Sequence, residues 1–202
     1  MTIQPPRILA FAGSARTESF HKKLVIAAAN EAKALDTLVT YIDLKDYPMP
    51  LFDEDLEAQN GLPETVLKFK ALLKSHQGFL IACPEYNGSI TPLLKNAIDW
   101  ASRPEPGELP LALSCFKGKT AALLATSPGG GGGRRGLVHV RAILEGIGVT
   151  VLSEQAVIPS AYEAFDQDGS LRMAAHQLAV QQVAQKLVEQ LAEQLVGSRG
   201  TI

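Results

Sequence analysis

Short runs of unbroken apolar residues, each followed by a stretch of helical periodicity, constrain this chain more than any other feature. Ile8-Leu9-Ala10-Phe11-Ala12, Gly78 to Ala82 and Thr120 to Thr126 show no apolar–polar alternation. A strand with one face in water alternates, and a strand covered on both faces does not. Val39, Tyr41 and Ile42 mark a further strand over 38–43, and Thr150 to Leu152 a fifth. The stretches between them repeat at helical spacing. One helix is expected from about Ser19 to Ala34, with Leu24, Ala27, Ala28 and Ala32 on one side. Others follow at Val66–Leu73, from Pro92 (with Leu94, Ala97, Ile98 and Ala101 as packing face), at Gly136–Glu145 and at Arg172–Val196. The last carries a stripe of Val180, Val183, Ala184, Leu187, Val188, Leu191, Ala192 and Leu195.

Strand–helix–strand alternation with right-handed crossovers implies a parallel sheet with helices on both faces. Five such strands predict an α/β, flavodoxin-like three-layer sandwich of order 2-1-3-4-5, formed by residues 1–202 as one domain. Strands one and three are then neighbours whose chains leave toward opposite faces, and a crevice opens at their carboxyl ends. Residues 47–50 (Tyr-Pro-Met-Pro) and 103–110 are expected to be irregular, and the acidic 52–61 stretch to be a solvated loop.

A net charge of −2 gives no electrostatic reason to expect nucleic-acid binding. No apolar run approaches the ~20 residues of a membrane helix. The start of the chain lacks a basic segment followed by an apolar core, so a soluble cytoplasmic protein is expected. Cys83 and Cys115 fit neither a zinc pattern nor a CxxC pair and read as reduced thiols; the four histidines are scattered, and no metal is expected.

Three loops fall at the predicted crevice. The first, Gly13-Ser14-Ala15-Arg16-Thr17-Glu18-Ser19-Phe20-His21, is rich in hydroxyls and opens a helix, where amides and the dipole favour an anion. Arg16 adds a charged donor fork. Ser19 reads equally as a helix N-cap or a ligand. The loop is neither a Walker A nor a G-x-G-x-x-G motif. The second, Pro84-Glu85-Tyr86-Asn87-Gly88-Ser89, holds an Asn-Gly pair that tolerates positive φ and lets backbone approach a flat heteroaromatic ligand. Tyr86 either packs on that ligand or is a half-buried aromatic, and Glu85 reads as a structural or inter-subunit charge. The third, Ser127-Pro128 followed by Gly129–Gly133 and Arg134-Arg135-Gly136, is either built for close approach and mobility or a surface loop with two solvated arginines.

The stretch Pro84 to Trp100, supported by Gly13-Ser14-x-Arg16, resembles the NADPH-dependent FMN reductase family, which includes quinone, chromate and azo-dye reductases. The resemblance implies non-covalent FMN, NADPH or NADH as reductant, and a homodimer or homotetramer. It implies that Ser14, Arg16, Ser19 and His21 hold the FMN phosphate beside Phe20. Pro84, Glu85, Tyr86, Asn87 and Gly88 then line the isoalloxazine, with Ser127 and Gly129 on its far side. Many members carry asparagine where this chain has His21, and the glycine run is longer than is usual. The expected activity is hydride transfer from NAD(P)H through flavin N5 to FMN, a quinone, an azo compound or a similar small acceptor, in a ping-pong order. No protein acid is needed for the transfer. The alternatives are a flavin-binding electron carrier or regulatory module without NAD(P)H activity, and a dinucleotide-binding protein without flavin. Trp100 reads as a core residue or, with Ile98, as part of a dimer surface.

Overall fold

The unalternated runs form the centre of a parallel sheet in the computed structural model, which describes residues 4–197. In chain order the elements are β1 (Arg7–Ala12), α1 (Phe20–Lys33), β2 (Leu38–Tyr41), a 3₁₀ turn (Leu44–Asp46), α2 (Glu54–Asn60), α3 (Glu64–Ser75) and β3 (Gly78–Ala82). Then come β4 (Glu85–Tyr86), β5 (Ser89–Ile90), α4 (Pro92–Ser102), β6 (Thr120–Thr126), α5 (Arg134–Gly146), β7 (Thr150–Ile158), α6 (Ala161–Ala164) and α7 (Ala174–Gly197). The main sheet has five strands in the order β2-β1-β3-β6-β7, all parallel, which is 2-1-3-4-5 when its own strands are counted.

Side chains of one strand divide between two cores because successive residues point to opposite faces. Ile8, Ala10 and Ala12 of β1 join Leu80, Leu124 and the inner faces of α1 and α7. Leu9 and Phe11 join Phe79, Ile81, Leu123 and the residues of α3, α4 and α5. α7 packs tightly over Gly78: a Cβ there would stand 2.5 Å from a Leu191 methyl.

Several expectations need correction. The 52–61 stretch is not loop throughout. Asp53 caps α2, its carboxylate accepting from Asp55 N and Leu56 N, and Gly61 ends the helix at φ 70. The helix has no buried residue, so it left no apolar stripe to read. β7 continues six residues beyond Leu152; it is an edge strand, and the exposed Ser153 and Glu154 disguise it. Its register against β6 shifts between Ala121 and Leu123. β4 and β5 form a hairpin that periodicity could not show. On α7 Val180, Val183, Ala184, Leu187 and Leu191 of the predicted stripe are buried and Val188 is half-buried, but Ala192 is exposed.

Ile98 and Trp100 are buried within the chain, so neither presents a dimer surface. Trp100 donates to the Pro50 carbonyl at 2.8 Å and meets Phe52 edge-on. No helix among the described residues is long and apolar enough to cross a membrane.

Candidate functional site

The loops after β1, β3 and β6 meet at the carboxyl end of the sheet around a cavity of about 240 Å³. Ser14, Arg16, Ser19, Phe20, His21, Pro84, Glu85, Tyr86 and Ser127 line it. Asn87, Gly88 and Gly129 do not. Gly129 borders a second hollow of about 290 Å³ with Arg134 and Arg135, and the two hollows share Glu85 and Ser127. A larger hollow of about 340 Å³ lies along α1 and α7, around Lys23, Glu31 and Asp168, away from the strand ends.

The first loop leaves β1 with no spare room. Gly13 N donates to the Ala82 carbonyl at 2.9 Å, and Thr91 Oγ1 donates to the Gly13 carbonyl at 2.8 Å. A Cβ on Gly13 would lie 2.9 Å from Leu94 Cβ and 3.2 Å from Pro84 Cδ, so only glycine lets the loop pass between α4 and the second loop. Thr91 also caps α4 through Leu94 N. Ser19 sits at the N-cap of α1 in extended conformation, but its side chain makes no cap hydrogen bond, and the first turn holds no acidic residue. The start of a 14-residue helix therefore opens toward the cavity with its donors uncapped by side chains. Arg16 lies above it, its guanidinium carbon 5.3 Å from the centre of the Phe20 ring. Phe20 in turn packs edge-on against Tyr162 and stacks on Phe165.

His21 is placed differently from Arg16. Its Nε2 accepts from Thr126 N at 3.3 Å, and the Cys83 backbone lies near the ring. Burial, with Arg16 nearby, lowers its pKa to about 4. The ring carries no charge at neutral pH.

The second loop is a hairpin turning on Asn87 (φ 52) and Gly88 (φ 80). Two consecutive positive φ angles suit the primed turn that Asn-Gly favours. Glu85 braces it. One carboxylate oxygen accepts from Arg135 Nε and Nη2, and the other accepts from Gly136 N at 3.1 Å. Burial pushes this carboxyl up, but the Gly136 amide and Arg135 outweigh it and leave its pKa lowered. Glu85 thus ties the hairpin to the start of α5, as a structural charge. Tyr86 stands exposed at the rim. Cys83, just before this loop, is fully buried with its thiol pKa pushed up, so it is unreactive.

Three lining residues escaped sequence reasoning, Thr126, Ala161 and Tyr162, whereas Pro128 belongs to the third loop named above. Ala161 and Tyr162 arrive on α6, which follows the unforeseen end of β7. Thr126 is the last residue of β6; its hydroxyl is buried and has no hydrogen-bond partner.

The family model described as NADPH-dependent FMN reductase matches residues 6–163. The NAD(P)H-dependent FMN reductase of Pseudomonas aeruginosa is 38% identical over 183 residues, covering 90% of this chain and 92% of that protein. The NADPH:quinone oxidoreductase of Arabidopsis thaliana is 34% identical over 170 residues, covering 82% and 81% respectively. Among solved structures, the flavoenzyme NAD(P)H:(acceptor) oxidoreductase FerB of Paracoccus denitrificans superposes with a TM-score of 0.75 at 28% identity, covering 93% of this chain and 98% of that one. The chain belongs to the NADPH-dependent FMN reductase family, and so to the oxidoreductases that pair FMN with NAD(P)H.

Proposed function

We propose that this chain is a single flavodoxin-like FMN-binding domain that reduces quinones, azo compounds, free FMN or similar small acceptors at the expense of NAD(P)H. The observation that carries the reading is the uncapped start of α1 opening into the cleft beside Arg16. That end suits a phosphate dianion. The orphaned Thr126 hydroxyl fits the same group: a buried donor without a partner costs stability unless a ligand satisfies it.

In this reading Ser14, Arg16 and Ser19 hold the phosphate. Pro84, Glu85, Tyr86, Asn87 and Gly88 border the ring on one side, and Ser127 and Gly129 on the other. FMN held there would supply the redox chemistry, as acceptor of hydride and donor of electrons. The residues supply position. Glu85 holds the hairpin to α5, so the turn does not drift when a substrate enters, and the exposed Tyr86 leaves the rim open. Reductant and acceptor take turns at one opening, a ping-pong order.

In this reading the chain assembles as a homodimer or homotetramer, as the family resemblance implies. Two unpaired thiols support a cytoplasmic location.

The test is to release and identify the cofactor of the purified protein, then assay the holoprotein with NADH and NADPH and a quinone. A yellow protein yielding FMN, with steady NAD(P)H oxidation and parallel double-reciprocal lines, is expected. A colourless protein that takes up no FMN would overturn the reading. Bound FMN without NAD(P)H oxidation would leave an electron carrier.

A further inference from the structure

β3 and β6 are hydrogen-bonded neighbours up to the point where Cys83 N donates to the Leu124 carbonyl at 2.8 Å. In a parallel ladder the residue that donates to position j−1 accepts from position j+1. The next rung would run from Thr126 N–H to the Cys83 carbonyl. That rung is not made directly. Thr126 N donates instead to His21 Nε2 at 3.3 Å, and the Cys83 backbone lies near the same ring. We propose that His21 is a positioning residue: its imidazole is spliced into the sheet in place of the first missing rung and sets how far β3 and β6 part at the cofactor cleft.

The chemistry of the ring suits the splice. A neutral imidazole has one acceptor nitrogen and one N–H, matching an amide on one side and a carbonyl on the other. With Nε2 accepting from Thr126, the proton belongs on Nδ1, toward Cys83. A proton on Nε2 would set two donors against each other. The depressed pKa agrees with this, since the buried ring beside Arg16 stays uncharged. A direct rung would hold N and O about 3 Å apart. A ring with a hydrogen bond on each side holds the strand ends wider, and the loops that follow, through Pro84 and Ser127, both line the cavity. His21 stands on the first turn of α1, so the same helix that offers its N-terminus to an anion also wedges the cleft.

The binding arm of the test rests on the flavin reading above; the spectroscopic arm does not. FMN and riboflavin, which lacks the phosphate, are titrated into the apo forms of the wild type, His21→Ala, His21→Asn and Arg16→Ala. If His21 splices the strands, His21→Ala weakens both flavins by the same factor, on the order of tenfold for one hydrogen-bonded pair. His21→Asn, whose amide can also accept and donate, recovers most of the loss. Arg16→Ala weakens FMN alone. A His21→Ala loss confined to FMN makes His21 a phosphate ligand and overturns the proposal. If the wild type binds neither flavin, the flavin reading fails, and the splice is decided by long-range ¹H–¹⁵N spectra of the wild type. These should show His21 protonated on Nδ1 only, without titration through neutral pH, and a hydrogen-bond coupling from Thr126 N–H to Nε2. A ring that titrates near the ordinary histidine value, or carries its proton on Nε2, overturns the splice whatever the flavin result and whether or not His21→Ala folds.

Discussion

The run of five glycines divides sharply when each is given a side chain. A Cβ on Gly129, Gly130 or Gly131 meets nothing within 4 Å, and none of the three has positive φ. Gly132 is buried at φ 60, and a Cβ there would lie 2.4 Å from Val157 Cγ1 and 3.3 Å from the Pro159 nitrogen. Gly132→Ala therefore combines two penalties. A left-handed alanine costs about 1–2 kcal/mol. Forcing a methyl against a β-branched side chain backed by main chain costs about 1–3 kcal/mol more. The expected loss is about 2–5 kcal/mol, which for a chain of this length lowers Tm by roughly 5–15 °C. Gly130→Ala should leave stability unchanged or raise it by about 0.5 kcal/mol, because alanine has less freedom to lose on folding. Denaturant unfolding of both variants measures the contrast. Placing Gly132→Ala in a Val157→Ala background separates the penalties: the steric part returns and the backbone part remains. If Gly132→Ala and Gly130→Ala unfold together, the argument that only the end of the run is structurally required is wrong.

Arg16→Ala should release FMN at least tenfold more readily while sparing the fold, since Arg16 is exposed; full cofactor occupancy after dialysis would remove Arg16 from the phosphate site. Thr126→Val deletes the orphaned hydroxyl, so stability should hold or rise by about 1 kcal/mol while flavin affinity falls; a clear loss of stability in the apoprotein would mean the hydroxyl is satisfied within the fold. His21 titrates near 6.5 when unfolded and near 4 when folded, so between those values the unfolded chain binds the extra proton and stability is lost as pH falls. Its share approaches about 3 kcal/mol by the lower end, and urea unfolding from pH 7 to 4 should show a shallower decline for His21→Asn than for the wild type.

What the sequence made legible follows from which surfaces are buried. β1, β3 and β6 were readable because both faces are covered, and the stripes of α1, α4 and α7 because each faces a core. Strand order followed from the alternation of elements and the handedness of crossovers. The missed elements are those that bury little or are very short. α2 buries nothing; the outer part of β7 shows polar residues to water; β4 and β5 are two residues each. The hairpin did leave one signal, Tyr86-Asn87-Gly88-Ser89, whose central pair specifies a two-residue primed turn.

The site was harder because its partners are distant in sequence and made of backbone. His21 meets Thr126 N across 105 residues, Thr91 meets the Gly13 carbonyl across 78, and Glu85 meets Gly136 N across 51. A motif shows that His21, Thr91 and Glu85 are polar and near the strand ends; it cannot show that each side chain stands in for a backbone bond that is otherwise lost. All three do the same job. A parallel sheet whose strands part to make a cleft leaves amides and carbonyls unpaired at the point of parting, and unpaired buried backbone is costly. His21 satisfies the gap between β3 and β6, Thr91 the first loop against α4, and Glu85 the start of α5 against the hairpin. The Thr126 hydroxyl is the polar atom in this group that the chain itself leaves unanswered, on a residue that lines the cavity. The rim is thus braced by side chain to backbone contacts at three points, and substitutions at these bracing residues should alter cofactor affinity before they alter the fold.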